Sequence, residues 1–155
     1  MKYFTQRTIL ALTILLCAYA QTPVYAQPQR TDSVPLFTGT IFVPEDHGVP
    51  GQANPSVEIW EVMPMTPDLE RNILLAPDMP GMILSQETGM AVTPNVTIEN
   101  GNFEFYNVPT EEPLTLYVWP TGPADPPATI NFQVPGVATG LPVHMPDLIL
   151  LCEQC

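Results

Sequence analysis

Positive charge is nearly missing from this chain of 155 residues, in which four Lys and Arg stand against 16 Asp and Glu. Nothing in it can form the basic patch that releases counterions from a phosphate backbone, which excludes nucleic acid and disfavours anionic membrane. Histidine is as scarce, with only His47 and His144, far apart in the chain. No histidine-based triad is visible, and Ser33, Ser56 and Ser85 lie in no G-x-S-x-G elbow. Cysteine is limited to three. A zinc site built on Cys152 and Cys155 would need two further ligands that nothing places. Long apolar runs are absent except one of about a dozen residues near the start, too short to span a bilayer.

That run, residues 8–20, follows a short basic start carrying Lys2 and Arg7, and QTPVYA follows it. Small residues at Val24 and Ala26 make residues 1–26 read as a signal peptide cleaved after Ala26. The mature chain then keeps two cations, Arg30 and Arg71, and all 16 acids, a net charge of −14, and has no transmembrane segment. It is expected to be exported, to a periplasmic or extracellular space. Such a compartment oxidises thiols, so Cys152 and Cys155 in the terminal LCEQC are expected to close a small disulfide ring.

What is plentiful is alternation and proline. Residues 36–43 (LFTGTIFV), 56–62 (SVEIWEV), about 90–92, 95–99 (NVTIE), 103–106 (FEFY), 114–119, 129–134 and 143–151 read as short strands. Asn100-Gly101 supplies the positive φ values of a tight hairpin turn. The 20 prolines suit strand ends and edges, where no ladder donor is needed. Between residues 63 and 85 the pattern breaks. Thr66 as cap, Pro67 in the first turn, and Asp68 and Glu70 at the positive end predict a short helix over 67–76, stopped by Pro77. The expected fold is all-β: an antiparallel sandwich of seven to eight strands, immunoglobulin- or transthyretin-like, with one short inserted helix. It spans 36–151, after a flexible lead-in at 27–35 and before a CxxC tail at 152–155.

Four segments in order, G-T-I-F-V (39–43), V-E-I-W (57–60), V-T-I-E-N-G-N-F-E-F-Y-N-V-P (96–109) and L-T-L-Y-V (114–118), resemble the carboxypeptidase regulatory-like domain. The resemblance covers most of 36–150 and implies a transthyretin-like β-sandwich, often grouped with starch-binding-like domains. It also implies a module that is mostly non-catalytic. Two enzyme classes on similar sandwiches have signatures this chain lacks. The transthyretin-like hydrolases end in Tyr-Arg-Gly-Ser, and intradiol dioxygenases hold iron through two Tyr and two closely spaced His.

With Val57, Ile59, Phe103, Phe105, Leu114, Leu116 and Val118 facing inward, alternation turns Trp60, Tyr106, Tyr117 and Trp119 outward. Tyr106, Tyr117 and Trp119 flank one short connection and are expected to share a face that stacks on a sugar or anchors a protein partner, with Glu104 as a polar contact. The leading expectation is therefore a non-catalytic binding module for a carbohydrate or a protein partner, with no cofactor. Two alternatives stand beside it. Met63, Met65, Met79 and Met82 lie in MPM and MPGM motifs, and thioethers select Cu(I). A structural accessory subunit of an extracellular or envelope assembly is the other. Calcium at Glu45-Asp46 or Glu111-Glu112 is the weakest idea, since no EF-hand spacing exists.

Overall fold

The computed structural model describes residues 32–47, 50–51, 58–69 and 72–154, without the side chains of His47 and Gln154. The signal peptide, Arg30, Arg71 and Cys155 lie outside the described residues. Ten strands follow in order: β1 (Ser33–Pro44), β2 (Ile59–Pro64), β3 (Ile73–Leu75), β4 (Met79–Ser85), β5 (Val96–Ile98), β6 (Asn102–Pro109), β7 (Pro113–Val118), β8 (Ala128–Gln133), β9 (Val143–His144) and β10 (Leu148–Gln154). They form two sheets with a shared core, an all-β sandwich-like arrangement.

One sheet has four strands in the order β5-β4-β7-β8, all antiparallel. The other has six and is organised by β1, which is long enough to serve two sets of neighbours. Its first half pairs with β6 and β9, and its second half with β3 and β10, while β2 lies beyond β10. The pairings of β1 with β9 and β10 are parallel. This corrects the expectation of a purely antiparallel sandwich. The chain reaches β9 from β8 by crossing between the sheets, and a crossing connection, unlike a hairpin, does not force neighbours to run oppositely.

The core draws mainly on one parity of each strand, although Val34 of β1, Val108 of β6 and Ile149 of β10 are buried on the other. Phe37, Ile41 and Val43 of β1, Phe103 and Phe105 of β6, Leu114, Leu116 and Val118 of β7, and Leu148 and Leu150 of β10 are all buried. Phe37 stacks between Phe103 and Phe132, with ring centroids 6.2 and 5.2 Å away. Gly39 makes this possible. The Phe103 ring lies where a Cβ on Gly39 would be, 2.2 Å from its nearest atom, so the ring covers the glycine and β6 closes on β1. The tight Asn100-Gly101 turn forms, with both residues at positive φ (48° and 74°), but it closes only the Glu99–Asn102 bridge, because β5 and β6 belong to different sheets and make no hairpin ladder.

Residues 63–85 depart from expectation. Pro67–Leu69 makes a single 3-10 turn, and the predicted helix over 67–76 does not form. Asn72 turns the chain at φ 56°, and Ile73–Leu75 becomes strand β3 against Val43 and its neighbours. A helix of ten residues between two prolines is marginal by itself, and the edge of β1 supplies the backbone partners instead, including Ile41 O for Ala76 N–H. MPGMILS is strand β4, in the middle of the four-stranded sheet. At the two ends the domain is larger than predicted. Ser33–Pro35 of the presumed lead-in already belongs to β1, and Cys152 and Gln154 of the presumed tail pair with Trp60 and Ile59.

Candidate functional site

Strand β7 turns one parity into the core and the other outward, where Thr115 is still buried and Tyr117 is half-buried. Leu114, Leu116 and Val118 enter the core, so Thr115 and Tyr117, and Trp119 just beyond the strand, lie on the outer face of the four-stranded sheet. Trp119 N–H still donates to Pro80 O, at 3.1 Å, which holds it in line with the strand. The Tyr117 and Trp119 rings stack, with centroids 6.0 Å apart and planes 27° from parallel, and both are half-buried. The register places Met82 and Thr129 on either side of Tyr117, and Leu84 and Asn131 on either side of Thr115. Thr115 Oγ1 donates to Asn131 Oδ1 at 2.8 Å. On the far side of β4, Thr97 stands opposite Pro80.

This face differs electrostatically from the rest of the protein. Strands β4, β5, β7 and β8 contain no charged residue, although the chain has 16 acids. Among the described residues there is no Lys or Arg at all.

Tyr106 and Glu104 lie elsewhere. They project from β6, in the six-stranded sheet, while β7 belongs to the four-stranded one. The connection after Pro109 passes from one layer to the other, so Tyr106 and the Tyr117–Trp119 pair occupy opposite outer faces and do not form the single platform predicted. Tyr106 is 57% exposed and donates its hydroxyl to Glu104 Oε2 at 3.0 Å. That hydrogen bond, and secondarily the carboxylate's charge, hold the phenol's pKa above its ordinary value of 10.0.

Sequence reasoning missed what adjoins Glu104. Across β6, β1 and β9 the register sets Glu104, Thr38 and His144 in one row. His144 Nδ1 meets Thr38 Oγ1 at 3.0 Å, and its Nε2 lies 3.8 Å from Asp147 Oδ1. The partners are 106 positions apart, joined by the parallel docking of β9, and no local spacing announces them. The imidazole and carboxylate side chains are 61% and 48% exposed, on an open strand surface that does not shield a reaction from water.

Trp60 corrects another expectation. It faces inward at 6% exposure, while Ile59 is on the outer side at 38%. The parity of β2 is set by Trp60 and Val62 together, and Glu61, alternating with them, takes the solvent side. Trp60 Nε1 donates to Glu58 Oε2 at 2.8 Å, and Gly51 N–H reaches the same oxygen at 3.0 Å. An inward indole with a hydrogen-bonded carboxylate is a packing element, unavailable to a ligand.

The methionines do not converge. Met79 is in the core at 2% exposure, while Met82, three residues on, is on the outer face of the four-stranded sheet. Met63 pairs with Ile149 in the other sheet, and Met65 follows that strand. The copper alternative thus loses its ligand set, because one thioether is buried and two others project from opposite layers. No group of three or more His, Cys, Asp or Glu among the described residues is arranged to hold a metal ion. Cys152 is disulfide-bonded; both other cysteines, Cys17 and Cys155, lie outside the described residues. No helix among the described residues is long and apolar enough to cross a membrane.

No known family model matches the chain, and neither a curated protein nor a solved structure does.

Proposed function

We propose that this chain is an exported, non-catalytic binding module of the carboxypeptidase regulatory-like kind, and that it takes a carbohydrate on the outer face of its four-stranded sheet. The export reading rests on the basic start, apolar run and small-residue cleavage site of residues 1–26. In support of the family reading, G-T-I-F-V falls on β1, Ile59-Trp60 of the second segment on β2, the third segment on β5, the turn and β6, and L-T-L-Y-V on β7, with Phe103 and Phe105 inward as that pattern requires.

The observation that carries the binding reading is the Tyr117–Trp119 pair. Two rings stacked 6.0 Å apart, one on β7 and one just past its end, beside Met82 and Thr129, present apolar area with little side-chain entropy left to lose. Sugar rings stack on such surfaces through their C–H faces. Glu104 and Tyr106 are outside this site, and Trp60 is beneath the surface, so the ligand-contacting set contracts to Tyr117, Trp119 and their neighbours.

Affinity electrophoresis of the protein through soluble polysaccharides, with Trp119→Ala alongside, tests this. Retardation by a glycan that disappears in the variant is the expected result. Equal retardation of both proteins would remove the site, and co-purification of a protein partner through the same residues would replace the ligand class.

A further inference from the structure

We infer that the ligand of this face is an uncharged polysaccharide lying along β7, with its ring faces on Tyr117 and Trp119 and its hydroxyls towards β8. This rests on the carbohydrate reading above and narrows it in charge, direction and length.

Charge comes first. The outward positions of the four-stranded sheet are Pro80, Met82 and Leu84 on β4, Thr97 on β5, Thr115 and Tyr117 on β7, and Thr129, Asn131 and Gln133 on β8. None of these is an Asp, Glu, His, Lys or Arg. A uronate- or sulfate-bearing chain would meet no cation here and would be repelled by a protein with a formal net charge of −12. A cationic glycan would be drawn instead to the acids at the ends of these strands, Asp78 before β4, Glu99 after β5 and Glu112 before β7. Four adjoining strands without a charged residue suit a ligand without charge.

Direction follows from the unequal flanks of β7. On the β4 side stand Leu84, Met82 and Pro80, apolar and half-buried. On the β8 side stand Thr129 and Asn131, polar and exposed. Because Thr115 occupies Asn131 Oδ1, the amide's two N–H donors are left for something outside the chain. A pyranose has the same division, an apolar C–H face with a rim of hydroxyls. Laid over the rings, it sets its rim against Thr129 and Asn131 and its remaining apolar edge against Met82.

Length follows from the openness of the site. Buried Thr115 and half-buried Tyr117 on β7, and Trp119 just past its end, succeed one another along the chain, each pair about 7 Å apart at the 3.4 Å rise of an antiparallel strand. An open face covers only one side of a ligand and gains little from a single sugar, in contrast to an enclosed pocket. Several rings in line along β7 supply the contact that one ring cannot.

The experiment is affinity electrophoresis of the full protein, at low and high salt, through three sets of soluble polymers: neutral (starch, β-glucan, galactomannan), acidic (alginate, polygalacturonate) and cationic (chitosan). The expected result is retardation by a neutral polymer, unchanged by salt, stronger for long chains than for oligomers, and abolished in Tyr117→Ala and Trp119→Ala. Thr129→Ala and Asn131→Ala each weaken it roughly three- to tenfold, the loss of one hydrogen bond; thermal unfolding is unaltered in Thr129→Ala, while Asn131→Ala, which also removes the acceptor of the buried Thr115 hydroxyl, unfolds at lower temperature. Retardation by acidic or cationic polymers alone, collapsing with salt yet still needing Trp119, would overturn this inference and leave the site reading standing. Retardation by no polymer, or retardation indifferent to Tyr117 and Trp119, would overturn both.

Discussion

Glu58, just ahead of β2, and Trp60 on it bond to each other, the indole N–H 2.8 Å from a carboxylate that is only 6% exposed. The same oxygen receives Gly51 N–H, so this carboxylate ties the preceding loop to the strand. Trp60→Phe keeps most of the apolar volume but deletes one donor to a buried acceptor, which is expected to destabilise the fold by about 1–3 kcal/mol. Trp60→Ala adds a cavity and is expected to cost about 3–5 kcal/mol. Urea unfolding measures both. A midpoint unmoved by Trp60→Ala would contradict the buried placement.

Two glycines at positive φ separate backbone conformation from space. Gly101 (φ 74°) has Ile41 O only 2.3 Å from where a Cβ would sit, while Gly89 (φ 67°) has nothing within 4 Å. Gly89→Ala therefore bears the conformational penalty alone, about 1 kcal/mol. Gly101→Ala adds a clash with backbone that already receives Ala76 N–H, and its cost is expected to exceed that of Gly89→Ala by about 1 kcal/mol or more. Equal thermal midpoints for the two variants would mean that the β5–β6 turn does not approach β1 this closely.

Tyr106 provides a spectroscopic check on the six-stranded face. Its hydroxyl donates to Glu104, and ionising it would break that bond and set two negative charges side by side, so its pKa is raised. Glu104→Ala removes both causes, and the phenol should then ionise at lower pH, back near 10.0. The difference in phenolate absorbance between parent and variant across an alkaline titration reads this directly. Coincident curves would show that the hydrogen bond is not formed in solution.

The strands were legible wherever alternation was strict, as at Phe103-Glu104-Phe105-Tyr106, because a period of two has one reading when only one parity is apolar. At Ile59-Trp60-Glu61-Val62 both parities carry an apolar residue, and the choice is made by which side chains find space in the core; the acid at Glu61 was the available hint. Residues 67–76 carried helix-start signals with no knowledge that β1 had an unpaired edge beside them, and the tertiary partner prevailed over the local preference. The Tyr117–Trp119 pair was readable from one strand. That Tyr106 lies on the opposite face was not, since a short connection leads equally well to a neighbour in the same sheet or to the facing one. The row of Glu104, Thr38 and His144 required the pairing of β1 with β9, for which the sequence offers no local cue.

The chain has two tryptophans, and the structure gives them opposite environments, so fluorescence can separate packing from binding. Trp60 is buried within the core cluster, while Trp119 is half-buried on the outer face, stacked on Tyr117. In Trp119→Phe the remaining indole reports Trp60, and its emission should be blue-shifted and poorly quenched by iodide. In Trp60→Phe the remaining indole reports Trp119, with emission nearer that of a solvated ring and ready quenching. Trp119→Ala should leave the unfolding midpoint within about 0.5–1 kcal/mol of the parent, as expected for a partly exposed surface residue. A glycan on the proposed face should protect only Trp119, so ligand-dependent protection from iodide must survive in Trp60→Phe and vanish in Trp119→Phe. Protection seen instead with Trp60 as the sole indole would mean that ligand acts through the fold, and the outer face of the four-stranded sheet would lose its claim to be the binding surface.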